Sequence, residues 1–270
     1  MAYSIQDIPS CLYMNSDQTQ VVYAQGSSLT WAPTGAKQVL TIGNEEKRAF
    51  TIVVSISNDG TMLPLQAIYG GLTKKSCPEP TSLHYDNCIK AGFKFEFSNT
   101  TTYWSTQATM QSLVNDIIAP YFMKKKAELS LPPTQRSLWQ IDVWSVHRSQ
   151  EFQTWMKKTH PTIILNYVPG GCTGQFQPCD VGIQHVFKHS LKRSYHADVV
   201  QEISDQFSKG TEHIIVDKWL AVLHDRSITW LWDTFKTVNE TTEVVTSVNW
   251  YSRESRNQVC TESASSWLRR

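Results

Sequence analysis

The sequence predicts an α/β domain on one mixed sheet: an antiparallel meander, then parallel βαβ strands, with helices on both faces. Three observations carry this. Before residue 70, β-branched and apolar runs alternate with turn residues. From about Gln107 the apolar period becomes helical. A strand–helix–strand pattern then follows between residues 138 and 168, and at that length it implies neighbouring parallel strands.

In chain order, residues 10–16 (SCLYMNS) read as a short strand running into Asp17. The stretch 18–33 reads as a second extended segment, broken by Gly26 and Pro33, and Gly35 to Ile42 leads to a turn rich in Asn44, Glu45 and Glu46. Arg48 to Ser57 (RAFTIVVSIS) is the clearest strand, β-branched and apolar. Asn58-Asp59-Gly60 is a hairpin signal, and Leu63 to Tyr69 is the returning strand, closed by Gly70-Gly71. Residues 72–103, with Pro78 and Pro80, read as an irregular loop or insertion.

Met110, Leu113, Val114, Ile117, Ile118 and Tyr121 then recur at helical spacing. Lys124, Lys125 and Lys126 suit that helix's C-terminal dipole, and Pro132 and Pro133 stop it. Leu138 to Trp144 is the next strand, with Asp142 near its end. Ser149 caps a helix over 151–158, Pro161 ends the connection, and a strand follows at 162–168. Pro169, Gly170 and Gly171 break that strand, and a loop brings Asp180 to the start of a basic helix. Three strands, helix, strand, helix, strand, helix is the RNase H-like layout. Residues 192–236 read as mostly helical, with Ile214, Ile215, Trp219, Leu220 and Leu223 as one stripe. The tail after Asn239 reads as polar and poorly ordered. The domain expectation is a catalytic unit over 5–205, a helical extension over 206–238 and a tail over 239–270.

Composition limits the function classes. The chain has 270 residues, 40% hydrophobic and 18% charged, with a formal charge of +1. It is long enough for a sizeable core, and a near-neutral total leaves room for a local basic face. Its apolar runs are far shorter than the ~20 residues of a membrane span, and no secretory signal is visible. The six cysteines show no tight pair, so reduced thiols are expected. Cys172, Cys179, His185 and His189 offer nominal zinc ligands, but their spacing is too long for a zinc knuckle. A small-molecule enzyme is disfavoured, since no phosphate-cradling glycine loop or nucleophile elbow occurs.

In this layout Asp17 on the first strand, Asp142 at the end of the fourth and Asp180 before the last core helix converge at one end of the sheet. Each alone reads as readily as a turn or cap residue. Together they repel: at ~4 Å a like-charged pair costs on the order of 4 kcal/mol at an effective dielectric of about 20. Divalent cations between them relieve that repulsion. Oxygen ligands with open positions suit Mg²⁺ or Mn²⁺, and two such ions suit phosphoryl transfer on nucleic acid.

Five ordered blocks carry a resemblance: NSDQT (15–19), GAKQV (35–39), the run from Glu46 to Gly71, IDVWSVH (141–147) and PGGCTGQFQPCDVGIQHVFKHSLKR (169–193). They resemble the DDE superfamily endonuclease domain of pogo-like transposases in the mariner superfamily, of fungal or animal type, over roughly residues 5–195. The resemblance implies a catalytic and metal-binding triad of Asp17, Asp142 and Asp180, two Mg²⁺ or Mn²⁺ ions, and DNA as the partner. It implies a nuclear location and a possible homodimer, with no membrane and no small-molecule cofactor. His147, Lys188, Lys192 and Arg193 become DNA-contact candidates, with a helix-start backbone contact as the other reading of His147 and a solvated surface that of the cations. Gln20, Val143, Gly174 and Phe176 depart from the family's usual residues, which suggests a decayed copy. The family's N-terminal helix-turn-helix has no counterpart here, so a fragment or a solitary catalytic domain is expected. A domesticated domain that binds without catalysis is the alternative.

Overall fold

The computed structural model describes residues 8–23, 48–210 and 215–240. The readings of Gly35 to Ile42, of the 44–46 turn, of Ile214 and of the tail from 241 lie outside the described residues.

Strand β1 (Tyr13–Val22) carries Asp17 at its centre. It runs unbroken through Asp17 to Val22, joining the first segment to the start of the second, and the breaks expected at Gly26 and Pro33 lie outside the described residues. β2 (Ala49–Ser57), buried along its whole length, pairs antiparallel with β1, placing Asp17 opposite Val54. Asp59 and Gly60 make the turn out of β2: the Asp59 Oδ1 accepts from the Thr61 N–H at 3.0 Å, and Gly60 takes φ 90°. β3 (Gln66–Tyr69) returns antiparallel to β2.

The 72–103 region corrects the loop expectation. It folds into helix α1 (Tyr85–Ala91) and strand β4 (Lys94–Phe97), which joins the sheet parallel to β3 as an edge. Gly92 ends α1 at φ 95°, a left-handed conformation that suits glycine at a helix C-terminus.

The long helical run is α2 (Gln107–Leu113), a π turn over Val114–Ile118, and α3 (Ala119–Glu128). Pro120 has no N–H and its ring crowds the carbonyl four residues back, so the wider turn lets the helix pass through it. β5 (Ser137–Ile141) follows parallel to β1, and Asp142 lies just beyond its last residue. After α4 (Ser145–Arg148), α5 (Gln150–Thr159) starts at Ser149, whose Oγ accepts from the Phe152 N–H at 3.1 Å. β6 (Ile163–Tyr167) pairs parallel with β5, which completes the expected βαβ unit. A turn of helix, α6 (Thr173–Phe176), and a π turn over Cys179–Ile183 lead into the 25-residue α7 (Gln184–Ser208). The domain boundary expected at 205 falls inside α7. α8 is Leu220–Glu240.

The described residues thus form a six-stranded mixed sheet, ordered β4-β3-β2-β1-β5-β6, with helices on both faces. Without β4 the order is the RNase H-like one. Side chains alternate along β1 and split the core in two. One face packs Val21, Ile52, Val54 and Tyr69 against Phe187 and Leu191 of α7 and Trp230 and Leu231 of α8. The other packs Met14, Val53 and Ile68 against Met110, Phe122, Phe152 and Met156. The expected 214–223 stripe is corrected: Ile215 and Trp219 are exposed and precede α8, whose buried face is Leu223, Ile228, Trp230, Leu231 and Val238.

Candidate active site

β1 and β5 are parallel neighbours, but the chain leaves β1 toward β2 and leaves β5 toward β6. A crevice therefore opens at their C-terminal ends, where ligands of open α/β sheets bind. Asn15 is level with Gln140 in the β1–β5 register. The pairing ends there; Asp17 lies two residues further along β1, and Asp142 two residues further on, just past the end of β5.

Asp180 reaches this crevice from the segment entering α7. Its carboxyl comes within hydrogen-bonding reach of that of Asp17. Burial, then the charge and hydrogen bond of Asp180, then the charge of Asp142 hold the Asp17 carboxyl well above the usual carboxylate range. Carboxylates far apart in sequence and on three different elements therefore act on one another through Asp17, with Asp142 one-third exposed and Asp180 at the surface.

Two other side chains fix the orientation of these acids. Gln184, buried on the first turn of α7 and four residues after Asp180, donates its Nε2–H to the Asp17 Oδ2. Its Oε1 accepts from the Lys188 Nζ at 3.2 Å. His147 places Nδ1 2.7 Å from the Asp142 Oδ1 and 3.3 Å from its backbone carbonyl. Its ring is buried among Trp139, Trp144 and Phe152, and Tyr167 donates from its hydroxyl to the His147 carbonyl. At 3% exposure His147 makes the helix-start contact and has almost no surface for DNA. Lys188 and Arg193 lie exposed on α7, while Lys192 is half-buried.

Sequence reasoning gave Gln184 no role. Its spacing of one helical turn from Asp180 was the available signal. One departure from the family pattern, Gln20, fits the structure directly. Gln20 lies in regular β1 and donates from Nε2 to the Tyr103 hydroxyl at 2.7 Å, so no glycine conformation is needed there. The Cys179 thiol, weighed as a zinc ligand, is buried against the carbonyls of Asn15 and Val54.

Among the described residues no group of three or more His, Cys, Asp or Glu is close enough to share one metal ion. The donor set suits ions held by two carboxylates each, since Mg²⁺ keeps several of its waters. Burial first, and then the neighbouring charges of Asp180 and Asp142, raise the Asp17 carboxyl, and a divalent cation would offset the charge part of that shift.

Comparison with known proteins adds the family. No curated protein matches the sequence significantly. Among solved structures the chain is similar to the Mos1 mariner paired-end complex with Mn, at 9% identity and a TM-score of 0.44, over 88% of this chain and 57% of that one. It is similar to the pre-cleavage Mos1 transpososome at 9% identity and a TM-score of 0.42, over 86% of this chain and 56% of that one. It is also similar to the catalytic domain of Mos1 mariner transposase, at 10% identity and a TM-score of 0.39, over 86% and 82% respectively. The chain thus spans little more than half of the Mos1 chains in the two complexes. The sequence model described as DDE superfamily endonuclease matches residues 46–242, well over half of the protein and inclusive of Asp142 and Asp180, and the chain belongs to that family.

Proposed function

We propose that this chain cuts and joins DNA strands at the crevice between β1 and β5, with Asp17, Asp142 and Asp180 as ligands of two Mg²⁺ or Mn²⁺ ions. The observation that carries the reading is the interaction of Asp17 with Asp180 and Asp142 from three separate elements. When bound, such ions supply Lewis-acid stabilisation of a phosphodiester and an activated water or 3′-hydroxyl.

The chain's own residues prepare that chemistry. Gln184 donates to one oxygen of Asp17 and so fixes the orientation of the carboxyl. His147 does the same for Asp142, and its burial fixes the ring. Asp180 stands at the solvent side, where a DNA backbone can approach. Lys188, Lys192 and Arg193 continue from it along α7 and are placed to neutralise phosphates next to the cut. A nuclear location is part of the same proposal and rests only on DNA as the substrate.

The test is metal-dependent nicking of supercoiled DNA by wild type and by Asp142→Asn. Nicking by the wild type with at least a hundredfold loss in the variant is expected. Equal nicking by the two proteins, or none by either, rejects catalysis and leaves a domain that only binds.

A further inference from the structure

Asn15 lies two residues before Asp17 on β1 and is completely buried. Its side chain faces two partners. Nδ2 donates to the backbone carbonyl of Gln140 at 3.1 Å, two residues before Asp142. Oδ1 accepts from the backbone N–H of Cys179 at 2.9 Å, the residue before Asp180.

The second bond meets a need of the helix. N–H groups in the first turn have no acceptor within their own helix, and Pro178 just upstream has no N–H at all. An N-terminal donor is usually met by a Ser, Thr, Asp or Asn beside it in sequence. Here the acceptor comes from a strand 164 residues away. The amide therefore docks the start of the α7 run against β1, while its other end holds β5 at the residue pair beside the crevice. Backbone pairing ties together β1, which carries Asp17, and β5, which precedes Asp142, but it places no constraint on Asp180.

We propose that Asn15 is a positioning residue that sets the spacing of all three carboxylates, and through it the affinity of the site for divalent cations. This rests on the reading of Asp17, Asp142 and Asp180 as ion ligands. Asn15 has no exposure and touches neither ion nor DNA, so it acts only through the segments it ties.

The experiment compares Asn15→Leu, Asn15→Ser and a control, Val238→Ala, which loosens α8 far from the crevice. Mn²⁺ binding by calorimetry, thermal unfolding and hydrogen exchange of the Cys179 amide are measured on each full chain. Both Asn15 variants should bind Mn²⁺ about 10–100-fold more weakly, the usual effect of losing a residue that orients a ligand. Their Cys179 amide should exchange faster. The control, though destabilised, should keep wild-type Mn²⁺ affinity. A folded Asn15 variant with wild-type affinity overturns the proposal and leaves the ion-ligand reading intact. A wild-type chain that binds no Mn²⁺ overturns both. Failure of both Asn15 variants to fold makes Asn15 a folding residue, which also overturns it.

Discussion

At the scale of residues, the crevice trades stability for chemistry. The Asp17 carboxyl is buried and faces the charges of Asp180 and Asp142, an arrangement that opposes the fold until cations arrive. Removing one charge should therefore stabilise the metal-free protein. Asp180→Asn is expected to raise the melting temperature by a few degrees without divalent ions, the size of shift that ~1 kcal/mol produces in a chain of this length. The same variant should lose most of the rise that Mn²⁺ gives the wild type. Thermal melts with and without Mn²⁺ check both halves, and a variant that melts lower than wild type in metal-free buffer refutes the first. The sequence singled out the three aspartates because each lies in a recognisable block, Asp142 and Asp180 beside an element boundary and Asp17 within a strand. Gln184 and Asn15 were not singled out, because their roles depend on the rotation of α7 and on a contact across 164 residues, neither of which a local pattern encodes.

At the scale of elements, the strands and helices with long periodic runs were readable: β2, the helices from Gln107 to Glu128, and the β5–α5–β6 unit. β4 was not. Its four half-buried residues, KFEF, are too few for alternation to show, and the exposed polar positions around them resemble a loop. α8 was misplaced because Ile215, Trp219 and Leu220 look like a stripe, yet the helix begins only at Leu220. What attaches α8 is partly a histidine. His224 is 7% exposed, with its ring 5.5 Å from Tyr23 and 4.9 Å from Tyr69, and burial pushes its imidazole down to about 4. Asp225, next to it, acts weakly the other way. The folded state refuses a proton that the unfolded chain accepts below about 6.5. Stability from this group is therefore full above that pH and is lost as the pH falls from 6.5 toward 4, by about 2–3 kcal/mol at pH 4.5. Urea unfolding at pH 7 and 4.5 should show that loss in wild type and a much smaller one in His224→Phe. An equal loss in both proteins would assign the acid sensitivity elsewhere.

At the scale of the whole molecule, a formal charge of +1 conceals a strong local asymmetry. From Val181 to Ala197 the chain holds no acid, while it carries Lys188, Lys192, Arg193 and three histidines. Beyond that stretch the second half of α7 is acidic, with Asp198, Glu202 and Asp205, and Asp198 and Glu202 bind Arg226 of α8 at 2.7 and 2.6 Å. DNA held against the first half should release counterions in proportion to the phosphates met. Lys188→Gln and Arg193→Gln are each expected to lower the slope of log affinity against log salt by about 0.9. Fluorescence anisotropy across a salt series measures this, and slopes identical to wild type would place the duplex on another surface. α7 itself is a single rod about 37 Å long at 1.5 Å per residue. The segment entering it is pinned beside Asp180 by the Asn15 amide, and just past its midpoint it is clasped to α8 by Trp230, whose Nε1–H donates to the Asp198 carboxylate at 2.7 Å. The pinned end acts as a fulcrum: a 5° swing of the rod carries its far tip roughly 3 Å on that length, yet hardly displaces a carboxylate at the pivot. A displacement that arrives through α8 is therefore felt more along the outer part of the rod than at the three carboxylates.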